Sequence, residues 1–233
     1  MTVASLIAWV NEGTALFERT VAGMDDAGLE APSALPGWRR SHVVAHVAYN
    51  ADALVNLLDW ARTGVPTPMY SSPEQRAEDI EKGAALPPGE LREKLITANA
   101  RLGANLAGMP ADAWERQVRT AQGRTVPASQ VPWMRTREVW VHSADLAAGA
   151  GFHDIPQGVL EGLLADAAAK FSTTPDTPRV SLVATGGPGR WEVGTGDSAV
   201  QVAGALPDLA AYLLGRPLSG RLEPAGPALP AWL

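Results

Sequence analysis

The sequence predicts a mainly α protein: an up-and-down four-helix bundle followed by a small α+β domain. Two observations carry this. Up to about residue 171 the chain is a succession of long segments with apolar residues at helical spacing, separated by Pro- and Gly-rich turns. After Phe171 the pattern changes to short β-type runs between Gly-rich turns, then one last helix. The domains are therefore drawn at 1–172 and 173–233, with no internal repeat.

Residues 3–22 place Leu6, Ile7, Val10, Ala15, Leu16 and Val21 on a helix. APSALPGW is a turn. Ser41 is suited to cap a helix over about 42–62 that ends at Gly64. VPTPMYSSPEQ reads as a loop and 74–83 as a polar helix. Pro88 fits the first turn of a helix reaching about Ala107. TAQGRTVPAS reads as a second loop. Pro127 or Ser129 then begins a helix through about 148, stopped by Gly149, and 157–171 forms another. TTPDTP breaks the pattern. VSLVA, RWEV and AVQVAG read as strands, PDLAAYLLG as a helix, and RLEPAGPALPAWL as a Pro-rich tail.

Composition narrows the function classes. The chain has 233 residues, 46% hydrophobic and 19% charged, which suits a globular protein with a sizeable core. A net charge of −6 with no basic stripe argues against nucleic acid. There are no cysteines, which excludes disulfides, a thiolate metal site and a cysteine nucleophile. Any thiol chemistry needs a thiol from outside. The first residues lack a basic n-region, and Asn11 and Glu12 interrupt their apolar run, so no signal peptide is expected. No stretch approaches the roughly 20 apolar residues of a membrane span. A cytoplasmic monomer is the expected form.

Four histidines exist, at positions 42, 46, 142 and 153. His42 and His46 share one helix face, and so do Glu138 and His142 on a later helix. A carboxylate and an imidazole one turn apart, with one histidine from a facing helix, make a three-ligand site for a divalent ion with a position left open. His46 is the better third ligand, because Val43, Ala45, Val47 and Ala48 make its surroundings apolar. His42, beside Ser41 at the helix start, reads as half-exposed, and a swap of roles stays open. His153 reads as surface. The ordinary alternative is two helix-face pairs worth a few tenths of a kcal/mol each. On the same helix, Arg135 is placed to orient the Glu138 carboxylate and Asp145 to accept a proton from His142, as outer ligands do. A solvated helix face explains both equally well. Arg124, after Gly123 in a loop, offers a planar fork for a carboxylate or phosphate. Arg216, after Gly215, can complement a helix dipole.

Three strings in this sequence, GWRRSHVVAHVAYNADALVNLLDWARTGVPTPMY, TAQGRTVPAS and WMRTREVWVHSADLAAGAGFHDIP, resemble the mycothiol-dependent maleylpyruvate isomerases, within the DinB-like metal-binding bundle superfamily. The likeness covers most of 36–156, and the ending Pro230, Trp232, Leu233 fits apart from the intervening Ala231. TPMY and TAQGRTVPAS are its most specific parts. The resemblance implies zinc on His46, Glu138 and His142, a catalytic arginine matching Arg216, and a sterol-carrier-protein-like C-terminal domain. It implies the cis–trans isomerisation of maleylpyruvate to fumarylpyruvate in gentisate breakdown, with mycothiol as cofactor. Arg124 is assigned to substrate or thiol binding. Iron or manganese also suits two histidines and a carboxylate. The chemistry matches a chain without cysteine: a metal-bound external thiol is a thiolate at neutral pH, and reversible thiolate addition frees a double bond to rotate. The competing readings are a mycothiol S-transferase of the same superfamily, which would consume thiol, and a non-enzymatic ligand-binding module.

Overall fold

The computed structural model describes residues 1–196 and 198–232, so Leu233 of the tail lies outside the described residues. The helices are α1 (Val3–Ala22), α2 (Asp26–Glu30), α3 (Arg40–Thr63), α4 (Pro73–Ala84), α5 (Pro88–Ala107), α6 (Val131–Asp145), α7 (Gln157–Phe171) and α8 (Leu206–Leu213). The strands are β1 (Gln117–Arg119), β2 (Thr125–Pro127), β3 (Val180–Ala184), β4 (Arg190–Val193) and β5 (Val200–Gly204).

Local chemistry sets most helix ends. Thr2 and Ser5 form a reciprocal capping box at the start of α1, each side chain accepting the other's backbone N–H at 3.2 and 3.1 Å. Ser72 caps α4 by accepting from Gln75 N at 3.1 Å, with Pro73 in the first turn. Gly64 ends α3 at φ 78°, a left-handed conformation that only glycine adopts without strain. At the other end of α3 the expected cap differs. The helix begins at Arg40, Ser41 is buried inside its first turn, and His42 Nδ1 accepts the Arg39 backbone N–H at 3.3 Å. The segment TAQGRTVPAS, expected as a loop, contains the turn of an antiparallel hairpin in which Val118 faces Val126. Gly123 takes φ 79° in that turn. Strands of three residues leave too little alternation to detect.

Compact unit one spans Met1–Ala150. In it α1 packs on α5 and α6, and α3 packs on the same two helices, with α4 laid against α3. The ring order around the core is therefore α1–α6–α3–α5, which is not chain order. The connections 23–39 and 108–130 each join helices on a diagonal, and they carry α2 and the hairpin. Helices α1 and α6 approach closely: a Cβ added at Gly13 would lie 2.6 Å from Val139 Cγ2. Trp140 Nε1 donates to the Trp9 carbonyl across the same contact at 3.0 Å.

Two arginines pin α3 against α6. Arg40, the first residue of α3, donates to the carbonyls of Leu146 and Ala147 just past the end of α6, at 2.7 and 2.6 Å. Near the start of α6, Arg135 is fully buried and donates through Nη1 to the Val47 carbonyl and Asn50 Oδ1, both at 2.8 Å. Its Nη2 donates to Asn99 Oδ1 on α5, and Asn99 in turn donates to Glu18 on α1 at 2.8 Å. The start of α3 meets the end of α6, and the start of α6 meets residues 47 and 50 further along α3, so the two helices run antiparallel with a fixed register. Burial pulls the Arg135 guanidinium down to about 10, which still leaves it a cation at neutral pH.

Compact unit two spans Gly151–Leu233. Its sheet has the order β4–β3–β5, with β3 antiparallel to β4 and parallel to β5. Helix α7 packs on β4 and α8, burying Val159, Leu163, Leu164 and Phe171. The boundary drawn from sequence at 172–173 marks a change of secondary-structure type. The packing boundary falls at 150–151, because the apolar face of α7 closes the second core. Among the described residues no helix is long and apolar enough to cross a membrane.

Replacing Arg135 alone strands two buried amide oxygens. Arg135→Met is expected to lower unfolding stability by about 2–4 kcal/mol. Urea denaturation measures this, and a midpoint within error of the parent would show that the guanidinium does not hold the bundle.

Candidate metal centre

The register set by the two arginines brings the seventh residue of α3, His46, level with Glu138 and His142 on α6. Each of the three offers a ligand atom, and these atoms lie within 4.8 Å of one another. His46 Nε2 is 2.8 Å from Glu138 Oε2, and His142 Nε2 is 3.2 Å from the same oxygen. The two rings meet edge to face with centroids 4.8 Å apart. His46 is buried, and the Glu138 and His142 side chains keep only 22% and 14% of their surface exposed. The cluster is thus walled by protein yet open on one side.

The charges in the cluster are tightly coupled. Burial would raise the Glu138 pKa, but hydrogen bonds to His142 and His46 outweigh it and hold the carboxyl well below the usual range. Burial lowers the pKa of His46 and outweighs the opposing contact with Glu138. Burial also disfavours charge on His142. Hydrogen bonds to Asp145 and Glu138 reverse that and carry it up to about 9. The buried anions Glu138 and Asp145 thus call for positive charge at one point between three ligand atoms. A divalent cation fits this donor set in charge and in chemistry, with two imidazole nitrogens and one carboxylate.

The surrounding residues orient the ligands. His142 Nδ1 lies 2.9 Å from Asp145 Oδ2, as expected from their spacing. Asp145 is fully buried and fixes the tautomer that leaves Nε2 free for a metal. Arg135, expected beside the Glu138 carboxylate, turns instead to α3 and α5. Its part in the centre is to fix where His46 stands. His42, expected half-exposed, is buried and outside the cluster. Its Nδ1 serves the helix cap, its Nε2 lies 3.4 Å from Glu81 Oε2, and Trp38 stacks on its ring. His153 is exposed, as expected, and sits beside Asp154 at 3.4 Å.

Residues that sequence reasoning did not single out also line the centre. Trp38 tilts against His46 with centroids 5.8 Å apart. Arg76 of α4 places Nη2 3.3 Å from His46 Nδ1 and its guanidinium 5.8 Å from the centre of the Tyr70 ring. Burial raises the Tyr70 pKa, and its phenol pairs with Arg76 and Asn50. Nothing in the spacing of PEQRAEDIEK sets Arg76 apart from other charges on a polar helix. Arg124 is exposed on the hairpin turn, where its main chain pairs with Thr120. Arg216 lies in the second unit after Gly215 (φ 67°), donating through Nη1 to the Leu214 carbonyl at 2.7 Å.

Comparison with known proteins gives a consistent picture. Residues 10–147 match the family described as the mycothiol maleylpyruvate isomerase N-terminal domain. A solved structure of a mycothiol-dependent maleylpyruvate isomerase is similar with a TM-score of 0.95 and 40% identity, covering 100% of this chain and 98% of that one. A histidine-to-alanine variant of such an isomerase aligns with the same TM-score at 39% identity and the same coverage. YfiT from Bacillus subtilis, a probable metal-dependent hydrolase with an unusual four-helix bundle topology, shares the fold alone. It has a TM-score of 0.50 and 18% identity over 62% of this chain and 83% of that one. No match was found among curated proteins.

Asp145 would act on a bound cation through His142. Asp145→Asn is expected to weaken zinc affinity by roughly 10–100-fold. Competition with a chromophoric chelator reads this directly, and an unchanged affinity would separate Asp145 from the centre.

Proposed function

This chain belongs to the mycothiol maleylpyruvate isomerase family, and from that premise we propose that it converts maleylpyruvate to its trans isomer fumarylpyruvate, a step of gentisate breakdown. The observation that carries the reading is the convergence of His46, Glu138 and His142 in a chain that shares 40% identity with a mycothiol-dependent isomerase over its full length. The expected ion is zinc and the expected thiol is mycothiol. A divalent cation in this cluster supplies the charge that keeps an external thiol as thiolate at neutral pH, a nucleophile that leaves as readily as it adds.

The residues of the chain divide the remaining work. His46, Glu138 and His142 would hold the cation by three ligands, which leaves a position for the thiol. Asp145 keeps His142 in the tautomer that binds. The walls of the centre, including Trp38 and Tyr70, limit water and so strengthen every electrostatic contact within it. Addition of a nucleophile to a conjugated keto acid develops negative charge on oxygen, and a guanidinium placed there stabilises it. Arg216 is assigned to that charge, from the family pattern at GRPLSG. Arg124 is assigned to the thiol or a substrate carboxylate, as an exposed donor fork.

The test is an absorbance assay of maleylpyruvate with catalytic mycothiol, together with metal analysis. The parent protein is expected to isomerise without consuming thiol, whereas stoichiometric consumption would indicate an S-transferase. His46→Ala is expected to lose the bound ion and turnover together. Arg216→Ala is expected to keep the ion and lose roughly 100-fold or more in kcat, the scale of one oxyanion-stabilising group. Near-parental turnover in that variant would remove Arg216 from the reaction.

A further inference from the structure

Residues 215–220, the segment that carries Arg216, are tied down at both ends. At the first end the helix stop does the work. Gly215, at φ 67°, donates to the Tyr212 carbonyl at 3.1 Å, and Arg216 N donates to the Ala211 carbonyl at 2.8 Å. At the second end the anchor is a side chain. Asp208 Oδ1 accepts the backbone N–H groups of Ser219 at 3.0 Å and Gly220 at 2.7 Å. Asp208 is buried in the first turn of α8, so the segment runs from the end of that helix back to its start. The fit there is close, because a Cβ added at Gly220 would lie 2.5 Å from Asp208 Oδ2. Just beyond, Glu223 and Ala203 of β5 exchange backbone hydrogen bonds at 2.8 Å each.

This anchoring adds no packing. Pro217, Leu218, Ser219 and Gly220 are exposed and Arg216 is half-buried, so the segment contributes no side chain to the core. Burying a carboxylate is costly unless hydrogen bonds match it, and bonds to an ionised acceptor are stronger than neutral ones. Two such bonds here fix a backbone path, and the side chain that the path presents is Arg216. Resting on the role given to Arg216 above, we propose that Asp208 is a positioning residue for the reaction: by holding Ser219 and Gly220 it fixes the arch from which the Arg216 guanidinium meets the developing charge. The helix stop restrains Arg216 from one side only. A donor stabilises a transition state to the extent that it is in place beforehand, and a displacement of about 1 Å can lower a rate by about 100-fold.

The test is steady-state kinetics of the zinc-loaded protein with maleylpyruvate and mycothiol. Asp208→Ala is expected to lower kcat by roughly 10–100-fold, with KM and zinc affinity little changed. Asp208→Asn keeps an Oδ1 acceptor and is expected to recover most of that loss. Gly220→Ala forces the same contact apart from the other side and is expected to give the same defect, which keeps the test alive should Asp208→Ala not fold. The double variant decides between positioning and general stability. In an Arg216→Ala background, Asp208→Ala or Gly220→Ala is expected to lower the residual rate by no more than about 2-fold, because the group being positioned is gone. An equal loss in both backgrounds would make Asp208 a structural residue and overturn the proposal, as would parental kcat in folded Asp208→Ala or Gly220→Ala protein. Hydrogen exchange reads the anchor without turnover: the Ser219 and Gly220 amides are expected to be protected in the parent and to exchange faster in Asp208→Asn and Gly220→Ala. Unprotected amides in the parent would also overturn it. Near-parental turnover in Arg216→Ala would instead overturn the role of Arg216, and this inference with it.

Discussion

The antiparallel contact between α3 and α6, held at its two ends by Arg40 and Arg135, is the constraint on which the rest of the molecule depends. Both arginines reach across to backbone carbonyls, and Arg135 also to two asparagine side chains, so they fix helix against helix. Backbone targets tolerate no slip: one residue of sliding would rotate His46 by about 100° away from Glu138. The three ligands lie between the two clamps. A centre that must keep three donors within a few ångströms is thereby built on two helices bonded to each other, and not on loops.

Burying so much charge is costly unless each group is matched. Arg135 has no direct carboxylate partner, and its charge is spread over a carbonyl and two asparagines, with Glu18 behind one of them. Glu138 and Asp145 carry two negative charges into a region that His142 can balance only in part. A divalent ion would close that balance. Stability and ligand geometry thus draw on the same groups, and the residues that keep the bundle together are also the ones that define the centre.

The absence of cysteine is an active part of this arrangement. A chain with its own thiol near such an ion would ligate it and block the open side. On the proposed reading the nucleophile would come with a separate molecule, so the protein would need only to hold the ion, exclude water and supply cations for developing charge. Arg76 and Arg216 sit in different compact units, and both lie outside the set of ligands.

The sequence by itself determined the helices, because their signals are local: apolar spacing, Pro88 in a first turn, Gly64 and Gly215 past helix ends. It also paired Glu138 with His142 and His142 with Asp145, since residues three or four apart on a helix must be neighbours. The short hairpin around Gly123 and the five-residue α2 were too brief to show any period. What only the tertiary structure decided is which helices meet. Consecutive helices would ordinarily be neighbours, yet here the ring order sets α1 diagonal to α3 and puts α6 beside α3. That choice selects His46 over His42 and brings Arg76 against His46. The apolar neighbours of His46 already favoured it in the sequence, but the contact with Arg76 is visible in no local pattern, because contact between distant segments is fixed by buried arginines and crossing connections rather than by the 3.6-residue period.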